Sequence, residues 1–242
     1  MPYIVKTRDN FWINGISALS VGLATEMPAP VPMANQRYTI WSSGDTDHST
    51  PDDSFEDVEY TIVARRFKTP DNFLSTDIYS FLADAKTLRI SRNAGRYYRI
   101  KRVLSVVPTA AYRGNEITYR ITFALSPFAY FVDNPEITID NSVRQIENQG
   151  TRYSRPIYKV NHSTTEVSEL SVNGQVLKIA PEASNPVWID CERMIAYNSE
   201  GENQTQYTTG IFPFLSSGTN RLQIATGYTL YEMTVIGNWR DY

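Results

Sequence analysis

Alternation of apolar and polar positions is the clearest signal in this chain. Across EITYRITFAL (116–125), Ile117, Tyr119, Ile121 and Phe123 fall on one side and Glu116, Thr118, Arg120 and Thr122 on the other, as a half-buried strand requires. VEYTIVARRF (58–67) is equally rich in β-branched and aromatic residues, and Tyr97–Val107 reads as a further strand. Pro, Gly and Asn mark Pro108–Asn115 as a loop, so the strands on either side of it are expected as antiparallel neighbours. Helical periodicity is convincing in one place: Leu74, Ile78, Phe81, Leu82 and Ala85 recur at i, i+4, i+7, i+8 and i+11. Ser75 or Thr76 is the expected N-cap, and Asp77 suits the positive end of the helix dipole.

SPFAYFVDNPEITIDNS (126–142) packs prolines and Asn/Asp turn residues between two strand-rich halves, which places a domain boundary near 134 and gives domains 1–134 and 135–242. Beyond it, Asn173-Gly174 stands between Leu170/Val172 and Val176/Ile179, the pattern of a hairpin closed by a tight turn with positive φ at both central residues. Strands are expected at Val187–Asp190, Met194–Tyr197, Arg221–Ala225 and Tyr228–Ile236. No helical period competes there, so the second domain is expected to be an all-β sandwich.

Composition narrows the function classes. Hydrophobic residues make up 41% and aromatics 12% of the 242 residues, enough for packed cores, and the net charge of −3 selects no partner. The single cysteine, Cys191, has no internal disulfide partner, and with His48 and His162 it supplies too few ligands for a zinc site of two cysteines and two histidines. The N-terminal MPYIVKTRDNFWING lacks a signal-peptide pattern, and no stretch approaches the roughly 18 apolar residues of a membrane span. The expectation is a soluble protein without membrane insertion. The sequons at Asn161 and Asn203 carry no weight without a secretory route.

Several motifs in a shared order resemble one family. FWINGISALSVGL (11–23), DIYSFLADAKTLRISRNAGRYYRIKRV (77–103) and LSPFAYF (125–131) are similar to the first domain of siphophage distal tail proteins. Asn148-x-Gly150-Thr151, Ser154-x-Pro156, Asn173-Gly174, Ile189-Asp190, Pro213-x-Leu215, Gly218-x-Asn220 and Trp239-Arg240 follow the order seen in their second domain. The chain departs from that family at SSGDTDHSTPDDSFED (42–57), which stands where a short Gly-centred hairpin is usual. The resemblance implies a mainly β protein: a barrel- or sandwich-like N-terminal domain with one α-helix, forming a hexameric ring around the tail channel, and a galectin-like C-terminal β-sandwich. It implies a tail-tip structural protein with no enzymatic activity and no cofactor. The implied partners are the tail tube protein, the lysin- or fibre-bearing tail-tip protein and receptor-binding proteins. The implied location is the virion tail, after assembly in the host bacterial cytoplasm.

Candidate surfaces follow from charge and aromatic content. Asp45, Asp47, Asp52, Asp53, Glu56, Asp57 and Glu59 form an acidic segment, while Arg89, Arg92, Arg96, Arg99, Lys101 and Arg102 form a basic block. A head-to-tail ring repeats one heterologous contact, and charge complementarity between these segments is a means of fixing its register. Tyr97 and Tyr98 within the basic block suggest a single-stranded nucleic-acid platform, but the acidic net charge and the absence of a recognised motif weigh against specific nucleic-acid binding. Asp45, Asp47, Ser49, Asp53 and Glu56 match five positions of a calcium-loop template, yet Thr50 replaces its required glycine, so an acidic surface loop is expected. Cys191 reads as a small buried hydrophobe, and His162 and Ser163, adjacent on a presumed strand, point to opposite faces. The alternative function is recognition of host cell-wall carbohydrate by the second domain, with Trp188, Tyr197 and Tyr207 as sugar-facing aromatics, although the galectin sugar signature is missing.

Overall fold

The computed structural model describes residues 10–25, 30–43, 46–67, 76–110, 116–140, 145–226, 229–230 and 232–242. The chain divides into two compact units, Met1–Val132 with Tyr242, and Asp133–Asp241.

The first unit runs β1 (Phe11–Ile13), β2 (Ile16–Ser17), β3 (Leu23–Thr25), β4 (Asn35–Ser43), β5 (Thr46–Glu56), β6 (Val58–Phe67), α1 (Thr76–Ala83), β7 (Thr87–Ile90), β8 (Arg96–Ala110) and β9 (Glu116–Phe131). Its main sheet is ordered β2-β1-β7-β8-β9-β6-β3, and these neighbours are antiparallel. Alternation dictates which face is dry: Tyr119, Ile121 and Phe123 of β9 pack beside Tyr60 and Ile62 of β6 and Tyr98 of β8 in one core. On the opposite side of the same strands, Thr61 and Thr122 pair directly, with hydroxyl oxygens 3.0 Å apart. Such cross-strand pairs contribute roughly 0.2–1 kcal/mol each.

Helix α1 closes this core with Ile78 and Leu82, both buried, while Phe81 meets Phe11 edge to ring at 6.3 Å. Burying each aliphatic side chain contributes about 1.5–3 kcal/mol relative to exposure. Asp77 in the first turn accepts a hydrogen bond from buried Arg66 at 3.2 Å, so it holds the helix to β6 as well as suiting the dipole. Of the residues named for the helix, Leu74 and Ser75 lie outside the described residues, and Ala85 falls beyond the last turn.

Two expectations need correction here. Pro108 belongs to β8, opposite Tyr119, rather than to a loop. The sheet tolerates it because β7 reaches only Tyr98 and Arg99 of β8, so Pro108 lies past the span where its missing N–H would face β7. The acidic segment is a strand, not a loop: β4 and β5 form their own two-stranded sheet, with a register shift between Gln36 and Tyr38. Phe55 near the end of β5 anchors the hairpin edge to ring against Phe128 at 5.2 Å.

The second unit contributes β10 (Glu136–Ile139), β11 (Gln145–Asn148), β12 (Ile157–Val160), β13 (Ser168–Val172), β14 (Gln175–Ile179), β15 (Val187–Asp190), β16 (Ile195–Tyr197), β17 (Thr208–Gly210), β18 (Gly218–Thr226), β19 (Thr229–Leu230) and β20 (Met233–Ile236). One sheet is ordered β10-β20-β12-β15-β16 and another β11-β18-β13-β14-β17, with β19 on β18. Tyr158, Val160, Val187, Ile189 and Val235 of the first are buried, as are Ile146, Leu170, Val172, Leu177 and Leu222 of the second. The expected strand from Met194 begins one residue later, because Met194 takes φ 56° in the preceding turn. The expected strand Tyr228–Ile236 is two short strands, and Tyr228 and Tyr231 lie outside the described residues.

The motif residues of this unit are braces. Asn148 donates to the carbonyls of Arg152 and Leu215 and accepts from Gly150 N–H. Asp190 accepts from Glu192 and Arg193 N–H at 2.9 Å and so turns the chain between β15 and β16. Asn220, fully buried, accepts from Ser216 N–H and donates to the carbonyls of Ser216 and Gly218. Gly150 has no room for a Cβ, which would overlap the Arg240 backbone, and buried Trp239 packs its ring against Gly237 in the same way.

Candidate assembly surface

The basic block is not one free face. Arg96 lies over the Phe131 ring with its guanidinium carbon 3.2 Å from the centroid, and Arg99 lies over Tyr130 at 4.0 Å. Tyr130 in turn stacks on Tyr97 at 5.5 Å, its partner across β8 and β9. Arg89 covers Trp12, its cross-strand neighbour, at 4.9 Å. Three of the named arginines are therefore packed on aromatic rings, Arg96 on one face of the sheet and Arg89 and Arg99 on the other, each contact worth about 0.5–1 kcal/mol where solvent reaches it.

The remaining cations of the block stand outward. Between Ile100 and Arg102 the β8–β9 register slips by a residue, and this bulge breaks the alternation so that Lys101 and Arg102 are exposed side by side. Lys101 donates to Asp57 Oδ1 at 2.6 Å. Arg92 sits exposed in the short 3-10 turn Ser91–Asn93 between β7 and β8.

On the acidic side, Asp47, Asp52 and Asp53 are positions of β5, and Asp45 lies outside the described residues. Glu56 at the end of β5 is 3.9 Å from Arg37 of the paired strand, both side chains being exposed. Among the described residues, the acidic and basic segments meet at Asp57 and Lys101, and Glu56 has a partner in its own hairpin. Four of the five calcium-template positions, Asp47, Ser49, Asp53 and Glu56, fall on one extended strand rather than on the tight loop that the template needs. No cluster of three metal-ligating side chains occurs among the described residues.

The hairpin carries an apolar face as well. Tyr38 and Ile40, two residues apart on β4 and so on one side of it, are 55% and 69% exposed. Sequence reasoning concentrated on the charges of this segment and missed them, although their i, i+2 spacing is the ordinary strand signal.

In the second unit, Trp188 and Tyr197 face each other across β15 and β16 and stack at 6.2 Å with 12° between planes, while Lys159 of β12 lies 5.4 Å from the Trp188 ring on the neighbouring strand. Trp188 is therefore bracketed along its row by Lys159 and Tyr197. Tyr207 lies in the turn Thr205–Tyr207 that leads into β17, its carbonyl accepting from Ala180 N–H, and this turn is tied to β16 where Thr205 Oγ1 accepts from Ala196 N–H.

Candidate reactive groups are tied up in structure. Burial pushes the Cys191 thiol well above its ordinary range, with Asp190 adding and Arg155 opposing, so the nucleophilic thiolate is suppressed. His162 and Ser163 lie in irregular chain just past β12 rather than on a strand, a correction to the sequence reading. Their side chains still do not pair: His162 Nδ1 meets the Ser163 carbonyl at 2.7 Å and Nε2 the Ser184 carbonyl at 3.1 Å. The Ser163 hydroxyl instead accepts from Thr165 and Glu166 N–H and bonds the Thr165 hydroxyl. No helix among the described residues is long and apolar enough to cross a membrane.

No family model matches the sequence, and no curated protein does. Among solved structures, the chain is similar to the SPP1 Dit (gp 19.1) protein, described as a paradigm of the hub adsorption apparatus in phages that infect Gram-positive hosts. The TM-score is 0.68 at 14% identity, covering 94% of this chain and 98% of that one. The chain has the fold of that phage hub protein, the mainly β fold that its resemblance to siphophage distal tail proteins implied.

Proposed function

We propose that this chain is a structural component of a siphophage or prophage tail tip, a hexameric hub joining the tail tube to the adsorption apparatus. The first unit forms the ring and the second, a galectin-like sandwich, decorates it. The ring docks the tail tube protein on one side and the lysin- or fibre-bearing tail-tip protein on the other, with receptor-binding proteins at its periphery. Assembly takes place in the host bacterial cytoplasm and the product resides in the virion tail. The protein acts by holding parts together and catalyses nothing.

The observation that carries this reading is the extent of the likeness to SPP1 Dit, which spans both units and nearly all of both chains. The hairpin supports it independently. A two-stranded ribbon is marginal by itself in water, and this one exposes Tyr38 and Ile40 on one face. Packing that face against a second copy removes the apolar surface and supplies the missing layer. Since Lys101 and Glu56 have partners in their own chain, Arg92 and Arg102 are the block's cations best placed for the acidic positions of β5 in a neighbour.

Native mass spectrometry of the purified chain, alone and with its tail tube protein, tests the proposal. A particle of six times the 27.6 kDa chain is expected. A monomer under both conditions, combined with retention on a cell-wall glycan array, would replace the hub reading by the carbohydrate-binding one.

A further inference from the structure

The chain contains two Asn-Gly pairs, Asn14-Gly15 and Asn173-Gly174, and both residues of each pair have positive φ, at 51° and 80° in the first and 49° and 84° in the second. Each pair closes a hairpin, β1–β2 and β13–β14 respectively, and all four residues are exposed. An exposed Asn-Gly pair is chemically labile, because no side chain on the glycine hinders attack by its backbone nitrogen on the asparagine amide. Burial does not protect either pair.

Their side chains are nevertheless tethered. Asn173 Nδ2 donates to Asn220 Oδ1 at 2.7 Å, and Asn173 Oδ1 accepts from Arg221 N–H at 2.8 Å. Asn14 Nδ2 donates to the Asp84 carbonyl at 2.8 Å, and its Oδ1 accepts from Lys86 N–H at 2.9 Å and Thr87 N–H at 3.0 Å. Each amide thus points away from the glycine that follows and is bonded to a neighbouring segment at both ends.

We propose that Asn173-Gly174 is a latent deamidation site kept shut by Asn220, and that Asn14-Gly15 is a second one kept shut by the Asp84–Thr87 segment. In the reaction, Gly174 N–H loses its proton to hydroxide and the nitrogen forms a bond to Asn173 Cγ. The Cγ–Nδ2 bond then breaks and ammonia leaves, taking a proton from water. Water opens the resulting succinimide at either carbonyl, giving aspartate or isoaspartate. Reaching the ring geometry requires Asn173 to release both side-chain hydrogen bonds. Each such bond slows the step by roughly two- to tenfold.

Asn220 is suited to gate the reaction because it is itself immobile. It is buried, and its other bonds to Ser216 and Gly218 hold its carbonyl toward Asn173. Failure of the gate has a structural consequence. Isoaspartate inserts a methylene into the main chain at the turn that sets the β13–β14 register, and either product turns an amide donor facing Asn220 Oδ1 into a carboxylate.

Ageing the full chain at pH 8.5 and 37 °C, with peptide mass mapping of both pairs, decides the matter. In native buffer each site is expected to deamidate at least about fivefold more slowly than in the same chain unfolded in urea. Asn220→Ala is expected to accelerate Asn173 by about fivefold and leave Asn14 unchanged. Equal rates in native and unfolded chain overturn the proposal. Acceleration of both sites alike in Asn220→Ala, or of neither, removes Asn220 as the gate.

Discussion

Lys101 Nζ lies 2.6 Å from Asp57 Oδ1, joining the basic strand to the end of the acidic hairpin within one chain. Both side chains are about half exposed, so solvent screens the pair despite its short distance. A double-mutant cycle with Asp57→Asn and Lys101→Met is expected to give a coupling below about 1 kcal/mol, shrinking as salt is raised. Urea denaturation at low and high ionic strength measures it. A larger, salt-insensitive coupling would mean that the pair is buried in an assembly.

The arginines of the basic block divide by environment, and charge reversal separates them. Arg96→Glu and Arg99→Glu each lose a guanidinium packed on an aromatic ring and are expected to cost about 1 kcal/mol of stability. Arg92→Glu and Arg102→Glu, at exposed positions, should stay within about 0.5 kcal/mol of the parent. If the proposed hexameric ring forms and is fixed by charge, it is this second pair that lowers the hexamer fraction in native mass spectra while leaving the urea midpoint in place.

Two glycines distinguish backbone strain from lack of space. Gly174 has φ 84° with nothing near its missing Cβ, so Gly174→Ala should cost about 1–2 kcal/mol from the left-handed backbone alone. Gly210, at φ 117°, would in addition drive a Cβ into the Val176 carbonyl, and Gly210→Ala is expected to cost about 2–4 kcal/mol. Chemical denaturation of the two variants should reproduce that order. The reverse order would show that the β14–β17 edge yields.

Alkali is expected to unfold the protein through the acids it buries. Burial raises the Cys191 thiol, with Asp190 adding and Arg155 opposing, and it raises the Tyr158 phenol, with Cys191 adding. Tyr60 is raised by burial and by Tyr98, with Arg92 opposing. Each remains protonated in the native state where the unfolded chain has begun to ionise. Their stabilisation is complete below the ordinary values and is lost as pH rises above 9.0 for Cys191 and 10.0 for the tyrosines. Each group steepens the loss toward about 1.4 kcal/mol per pH unit. Urea melts between pH 7 and 11 check this, and Cys191→Ala should remove the earliest part of the decline. Stability that stays flat to pH 11 would contradict it.

What the sequence determined by itself was local. Alternation at Ile117, Tyr119, Ile121 and Phe123 set a buried strand face, the spacing of Ile78 and Leu82 set the helix, and Asn173-Gly174 set a hairpin, because side-chain period and turn chemistry are properties of a few consecutive residues. The order of the braces at Asn148, Asp190 and Asn220 carried the fold for the same reason: each serves a turn within its own neighbourhood. Tertiary structure decided how the charges are used. A bulge between Ile100 and Arg102 turned Lys101 and Arg102 outward together, while Phe131 and Tyr130, some thirty residues away along the chain, took up Arg96 and Arg99. Pairing with β4 likewise made an acidic stretch rich in turn formers into a strand and left Tyr38 and Ile40 exposed. A charge or ring is free or engaged according to what folding brings beside it, and those neighbours are distant in the sequence.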